Sequence, residues 1–191
     1  MKHSPFTALY DANVLYPAPL RDFLMNLALT GVYRARWSAK IHEEWKRNLL
    51  LKRTDLTRAQ VDRTSELMDA AVPDALVTDY EPLVNGLDLP DEDDRHVLAA
   101  AIKCNASVIV TFNLKDFPSS TLGNFDIEPL HPDDFIADLW DLDKAAVLEA
   151  AQRQRQALKK PPHNAQEYLD KLLQQKLPET VKLLSEFKFL L

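Results

Sequence analysis

The chain has 191 residues, of which 46% are hydrophobic and 27% are charged. These values are ordinary for a globular protein with one domain and an extension, or with two small domains. A single cysteine excludes an internal disulfide framework and a cysteine-based zinc cluster. The sequence has no run of about 18 apolar residues and no apolar signal region at its start, so we expect a cytoplasmic protein that does not contact membranes.

The net charge of −6 is unevenly distributed. Residues 144–191 carry nine Lys and Arg against five Asp and Glu, and residues 34–63 carry nine against four. An acidic chain is a poor candidate for a protein that simply coats nucleic acid. A basic surface beside an acidic cleft is nevertheless compatible with a phosphate-backbone substrate that is met through a metal ion.

The first predicted strand, residues 6–10, is apolar and ends abruptly at Asp11. Pro17 follows, so a loop and a helix are expected next. In an open α/β sheet, ligands bind just beyond the carboxyl ends of the strands. Asp11 is therefore the first candidate for chemistry.

A helix is predicted from Ser38, a good N-cap, to about residue 53. Glu44 lies near the apolar stripe of this helix, whereas Glu43 lies opposite and is spaced for a surface ion pair with Arg47. An inward carboxylate is costly unless it is paired or bound to a cation. Glu44 therefore either binds a cation or pairs with an arginine at the edge of the core.

The segment P-D-E-D-D-R-H-V-L-A-A-A-I, residues 90–102, places acidic residues before an apolar helix. Asp91 or Asp93 fits the helix cap, because acidic groups there complement the helix dipole. Asp94 instead projects with the apolar side chains toward the sheet. It is therefore the candidate site carboxylate of this segment.

Residues 107–111 form the clearest strand, because they are apolar, β-branched and short. Asn113 and Asp116 follow it and are expected at the same end of the sheet as Asp11. An Asn/Asp turn is the simpler explanation for this pair, since such turns are common after strands.

Strands that alternate with helices predict an α/β fold with a mostly parallel sheet. The remaining predicted elements are strands at 34–37, 75–78 and 126–130, helices at 19–29 and 57–71, and a loop at 79–90. A helix capped by Asp133 follows, and then a basic, all-helical tail with helices at 145–158, 164–176 and 178–190. We expect one domain over 1–142 and a helical extension over 143–191.

Four carboxylates that converge without obvious basic partners repel one another, and a divalent cation relieves this repulsion. Mg²⁺ and Mn²⁺ prefer oxygen ligands. Asp11 and Asp94 are the expected direct ligands. Glu44 and Asp116 are expected to bind the metal through water or to orient the nucleophile, and Asn113 to fix a water or a carboxylate. The histidines lack paired spacing and are interpreted as surface or cap residues: His3, His42, His96, His131 and His163.

Four segments in order resemble the PIN-domain ribonucleases, particularly the VapC-like toxins of bacterial toxin–antitoxin pairs: D-A-N-V-L-Y-P, S-A-K-I-H-E-E-W, P-D-E-D-D-R-H-V-L-A-A-A-I and V-I-V-T-F-N-L-K-D-F. The resemblance implies a three-layer α/β/α sandwich and three or four acidic residues around Mg²⁺ or Mn²⁺. Carried over to this chain, the acids are Asp11, Glu44, Asp94 and Asp116. Asp91 and Asp93 compete for the third position, and many relatives place an acid where this chain has Asn113.

The resemblance also implies an endoribonuclease that cuts RNA and a cognate antitoxin protein that shields the cleft. Members of this family often form homodimers, so a homodimer is a further expectation. The C-terminal helices resemble extensions found in some VapC-like proteins. A catalytically inactive PIN fold that binds RNA or protein is the main alternative. A phosphatase of small phosphoesters is a weaker one.

Overall fold

The computed structural model describes residues 5–191. Residues 1–4, and with them the interpretation of His3, lie outside the described residues. The described chain divides into two compact units, one formed by 5–16 with 33–131 and the other by 17–32 with 132–191. The second unit thus groups an early helix with the C-terminal helices. The domain boundary expected at 142/143 stays a prediction.

The first unit is organised around a five-stranded sheet in the order β3-β2-β1-β4-β5. All strand pairs are parallel, and Leu9 of the central strand lies opposite Arg36 on one side and Ile109 on the other. The expected α/β fold with a parallel sheet is therefore confirmed. The strands are β1 (Thr7–Tyr10), β2 (Arg34–Ser38), β3 (Leu76–Val77), β4 (Val108–Val110) and β5 (Glu128–Leu130).

The longer helices agree with the predicted pattern, and three short helices were not predicted, at Ala12–Leu15, Glu81–Val84 and Ser119–Leu122. The second of them lies inside the segment 79–90 that was predicted to be a loop, with a proline in its first turn. In chain order the helices are α1 (Ala12–Leu15), α2 (Ala18–Ala28), α3 (Ala39–Lys52), α4 (Arg58–Ala71), α5 (Glu81–Val84), α6 (Arg95–Lys103), α7 (Ser119–Leu122), α8 (Pro132–Ala157), α9 (Ala165–Gln174) and α10 (Pro178–Ser185). Short 3₁₀ turns cover Glu92–Asp94, Gly123–Phe125 and Lys188–Leu190.

Burial of apolar side chains fixes the two helices that matter for the site. Helix α3 packs on the sheet through the fully buried Ile41 and Trp45, and α6 packs through Val97 and Leu98. Ser38 caps α3 as predicted, because its Oγ accepts a hydrogen bond of 3.2 Å from the amide of Ile41. Packing therefore holds the start of α6 and the middle of α3 beside the sheet.

The second unit is all-helical, and a buried glutamine links three of its helices. The side-chain amide of Gln154 in α8 donates to the carbonyl of Pro19 at 2.8 Å, and its oxygen accepts from the Tyr168 hydroxyl at 2.8 Å. Helix α8 is kinked at Asp143, where two separate helices were predicted, and the Asp143 carboxylate accepts from the amide of Ala146. None of the helices within residues 5–191 has the length and apolar character needed to cross a membrane.

Asp133 was predicted to be the cap of its own helix, and this prediction is wrong, because α8 begins at Pro132 and Asp133 lies in its first turn. Its buried carboxylate accepts hydrogen bonds from the amides of Glu179 and Thr180, both at 2.8 Å, and from the Thr180 hydroxyl at 2.7 Å. Asp133 therefore satisfies the first amides of α10, a helix about 45 residues further along the chain. Sequence spacing favoured the nearer helix because it carries no information on such a distant partner.

We expect Asp133→Ala to lower the free energy of unfolding by about 2 kcal/mol, because the first amides of α10 lose their acceptor. Asp134→Ala, a change at the exposed neighbouring carboxylate, should alter it by less than about 0.5 kcal/mol. Urea denaturation of both variants measures the difference. Equal stabilities would contradict the capping role.

Candidate active site

A cavity of about 510 Å³ lies where β1 and β4 end, and most of the predicted site residues line it. Three sequence segments that are far apart in the chain contribute carboxylates to its wall. The lining residues are Asp11, Ala12, Asn13, Tyr16, Glu44, Arg47, Asn48, Leu51, Lys52, Asp94 and Asn113.

Asp11 is buried and held in one orientation by hydrogen bonds to both of its carboxylate oxygens. The amide of Ala12 donates to Oδ1 at 2.7 Å, so Asp11 also caps the short helix α1. The side-chain amide of Asn13 and the hydroxyl of Thr111 donate to Oδ2 at 2.7 and 2.8 Å. Asn13 in turn accepts from the amide of Phe112, which ties β1 to the loop after β4.

Burial raises the pKa of Asp11 from its ordinary value near 3.8 to about 6, and the neighbouring Glu44 carboxylate adds to the increase. The hydrogen bonds from Thr111 and Ala12 act in the opposite direction, because they favour the charged form. The carboxylate is thus ordered but electrostatically costly when no cation is bound.

Asp94 lies at the junction between the 3₁₀ turn and α6, together with two other carboxylates. One carboxylate oxygen from each of Asp91, Asp94 and Asp116 lies within 4.8 Å of the other two. Asp91 also caps the turn, because its Oδ1 accepts from the amide of Asp93 at 2.9 Å. Asp93 is exposed and does not belong to this group. Of the two residues that competed with Asp94 for the third acidic position, only Asp91 therefore contributes an oxygen to the group.

Asn113 and Asp116 meet in the loop after β4. The side-chain amide of Asn113 donates to Oδ2 of Asp116, and the backbone amide of Asn113 donates to the Thr111 hydroxyl at 3.0 Å. The Asn/Asp turn therefore exists, but it also directs Asp116 toward Asp94. The Asn/Asp turn and the position near the other acidic residues are therefore compatible, because one loop provides both.

Glu44 faces His96 rather than an arginine. The Nε2 of His96 donates to Oε1 of Glu44 at 2.8 Å, and its Nδ1 is buried without a hydrogen-bond partner in the described chain. His42 is also buried, between Trp45 and Asp69. The interpretation of these two histidines as surface or cap residues is thus wrong, because a histidine inside an apolar helical pattern gives no sign of its burial.

Five carboxylates lie in or beside this cavity, and none of them is neutralised by a lysine or an arginine within residues 5–191: Asp11, Glu44, Asp91, Asp94 and Asp116. Within residues 5–191, none of them forms an ion pair with Lys or Arg, and the only partner of this kind is His96 on Glu44. Burial, and then the neighbouring Asp11, Asp91, Asp116 and Glu44, raise the pKa of Asp94 to about 7. The site thus concentrates negative charge without a Lys or Arg paired to these carboxylates in the described chain.

The donor set fits a hard divalent cation. Mg²⁺ binds oxygens at 2.0–2.1 Å, so two ligands on opposite sides of one ion lie about 4.2 Å apart. The oxygens of Asp91, Asp94 and Asp116 lie within a comparable span. In the described residues Asp11 and Glu44 do not belong to this close group, although they line the same cavity as Asp94. The individual roles of all these residues stay predictions.

Sequence reasoning missed two residues that hold the carboxylates. Asn13 holds Asp11, and His96 holds Glu44. Asn13 had a usable signal, because it follows Asp11 by two residues at a strand end. His96 had a weaker signal in the sequence: it also follows a candidate acid, Asp94, by two residues, but it does not lie at a strand end.

Comparison with known families gives the class of protein. The PIN domain family model matches residues 7–115, and the chain therefore belongs to the PIN-domain family. A second model, the VapC50 C-terminal domain, matches residues 132–186, which lie within the second unit. The resemblance noted from the four segments is confirmed.

The chain is similar to a Mycobacterium tuberculosis protein named "Putative ribonuclease VapC50", with 45% identity over 82 residues. The match covers 43% of this chain and 48% of that protein, so the chain spans about half the length of the curated relative it matches. No solved structure matches significantly.

The raised pKa of Asp94 predicts that the metal-free protein loses stability as the pH rises from about 4 to about 7. The folded state retains a proton that the unfolded state has already released, so the penalty is complete above pH 7. Asp94→Asn should therefore raise Tm in EDTA at pH 8 by about 2–4 °C, which corresponds to roughly 1 kcal/mol once solvent screening at this half-exposed group is allowed for.

Differential scanning fluorimetry at pH 5 and pH 8 tests this expectation, with Asp93→Asn as the matched control. The increase in Tm of Asp94→Asn over wild type should be smaller at pH 5 than at pH 8, and Asp93→Asn should have the wild-type Tm at both pH values. A variant that melts below wild type at pH 8 would contradict the repulsion.

We expect His96 to act as a positioning residue for Glu44. His96→Leu should weaken Mn²⁺ binding about 10- to 100-fold, as is typical when a partner of a metal ligand is lost. His96→Gln should recover most of the affinity, because a glutamine amide can donate to Oε1 from a similar place. Isothermal titration with Mn²⁺ at constant pH measures both variants, and equal weakening would show that His96 serves only packing.

Proposed function

We propose that this protein is a metal-dependent endoribonuclease that hydrolyses RNA phosphodiester bonds, and that it is the toxin of a toxin–antitoxin pair. One observation carries the proposal: the carboxylates of Asp91, Asp94 and Asp116 form a close group, and Asp94 lines one cavity together with Asp11 and Glu44. A PIN domain with such a cluster is suited to a divalent cation and a phosphodiester. The name of the mycobacterial relative supports RNA as the substrate.

In this proposal each acidic residue has a distinct place. Asp94 and Asp116 would hold the ion with Asp91, and Asn113 fixes the orientation of Asp116. Asp11 and Glu44, which line the same cavity as Asp94, would hold the ion directly or through water. A bound Mg²⁺ or Mn²⁺ would supply charge neutralisation at the phosphodiester and an activated water for in-line displacement.

Hydrogen bonds from neighbouring side chains fix the orientation of two of the carboxylates. Asn13 and Thr111 fix the Oδ2 atom of Asp11, and His96 fixes Oε1 of Glu44, so neither carboxylate has to reorient when substrate arrives. Preorganised charges of this kind cost little at the moment of reaction.

The biological setting is part of the same proposal. A cognate antitoxin that covers the acidic cavity, and a cytoplasmic location, fit a VapC-like toxin. A homodimer stays a prediction. The alternative, a catalytically inactive PIN fold that binds RNA or protein, is weakened because all four predicted acids are present and lie at or beside one cavity.

RNA cleavage assays with Mg²⁺ or Mn²⁺ test the proposal. Asp11→Asn and Asp94→Asn should each reduce the rate more than about 100-fold, because even loss of an outer-shell partner costs 10- to 100-fold. Asp93→Asn should retain wild-type activity, and EDTA should abolish cleavage. Cleavage that survives EDTA or Asp94→Asn would contradict the mechanism.

A folded wild-type protein that binds Mn²⁺ and RNA without cleaving any RNA would favour the inactive alternative. Turnover of a chromogenic phosphomonoester with no effect on RNA would instead indicate a phosphatase.

A further inference from the structure

One face of α3 carries both the acidic and the basic wall of the cavity. Glu44 is followed on this face by Arg47, Asn48, Leu51 and Lys52, at spacings of three, four, seven and eight residues. Side chains at these spacings lie along one side of a helix. At a rise of 1.5 Å per residue, Arg47 lies about 4.5 Å and Lys52 about 12 Å beyond Glu44 along the axis.

Most basic residues near this helix are occupied by acidic partners. Lys46 and Arg58 both pair with Glu43 and Asp62, at distances of 2.6–2.8 Å. The expected pair of Glu43 with Arg47 is therefore wrong, because Lys46 and the facing helix α4 satisfy Glu43 instead. Arg53 pairs with Asp55, and Arg63 pairs with Glu66.

Arg47 and Lys52 are different, because neither forms an ion pair within residues 5–191 and both side chains line the cavity. Lys52 holds its ammonium group over the ring of Tyr16, 5.5 Å from the centroid, which keeps it at the cavity wall. These two cations are not used to neutralise the carboxylates. Their charge is available to an anion that enters the cavity.

We propose that Arg47 and Lys52, with Asn48 between them, form a phosphate-binding subsite for the RNA strand next to the bond that is cleaved. This inference rests on the proposed function and adds the direction in which the strand leaves the carboxylates, toward the C-terminal end of α3. One phosphodiester reaches the acidic end through the cation, and the following phosphates meet the basic end.

The order of charges along α3 favours a polynucleotide over an acidic protein segment. A polynucleotide carries one phosphate on every nucleotide, so a single strand could share a divalent cation at the acidic end and also place a phosphate at Arg47 and Lys52. Contacts of this kind fix the register of a strand but carry no sequence information. The subsite therefore predicts affinity for RNA phosphates in general and not for a particular base.

The test compares two double variants that remove equal charge. Arg47→Ala/Lys52→Ala removes the subsite, whereas Arg34→Ala/Lys40→Ala removes two exposed cations outside the cavity. Both are made in the full chain with Asp94→Asn to prevent turnover. Fluorescence anisotropy with a labelled single-stranded 12-nucleotide RNA then gives Kd over a range of salt concentrations.

Each lost phosphate contact on a single strand reduces the slope of log K against log salt by about 0.7. The subsite variant should therefore lower the slope by about 1.4, and the control pair should leave it near that of the parent. Thermal melting of both variants checks that they are folded. Equal slopes in the two double variants would overturn the subsite.

A second comparison separates this inference from the proposed function. A 12-residue polyglutamate peptide should not displace the RNA, and displacement that depends on Arg47 and Lys52 would overturn RNA as the occupant in favour of an acidic protein segment. With Asp94 restored and Mn²⁺ added, a chain that binds RNA through the subsite but never cleaves it would sustain the subsite and refute the nuclease.

Discussion

The rest of this structure depends on one constraint, the electrostatic repulsion among carboxylates that lie where the strands of a parallel sheet end. Asp11 and Asp94 both have pKa values raised by burial and by their acidic neighbours. Folding alone would favour replacing them with neutral side chains, because isolated charges are costly to bury. In the proposed function, a bound cation offsets this cost when the protein works.

The fold overcomes this repulsion through positions that packing fixes independently. Burial of β1 fixes Asp11, burial of Trp45 on α3 fixes Glu44, and burial of α6 fixes Asp94. Uncharged or weakly basic groups then orient the carboxylates without neutralising them, as Asn13 does for Asp11 and His96 for Glu44. Lys46 of α3 pairs with Glu43 and Asp62, whereas Arg47 and Lys52 line the cavity.

Periodicity and local chemistry were enough to predict the sheet, the main helices and the acidic residues, because each depends on neighbours in the sequence. Ser38 as a cap and Asp11 at a strand end are examples. Features that depend on distant partners were not accessible: Asp133 caps a helix about 45 residues away, and His96 meets a glutamate from another helix. The place of Asp91 beside Asp94 and Asp116 was also not decided by the sequence, since Asp91 and Asp93 both fitted the helix cap and both competed for the third acidic position.

Anomalous diffraction from crystals soaked in Mn²⁺ tests the central claim most directly, because it locates the ion relative to each carboxylate. The account predicts a peak within about 2–2.6 Å of oxygens of Asp94 and Asp116, on the side of the cavity that faces Asp11 and Glu44. A saturating soak that leaves this group without a peak, or that places the ion only on surface carboxylates elsewhere, would contradict it.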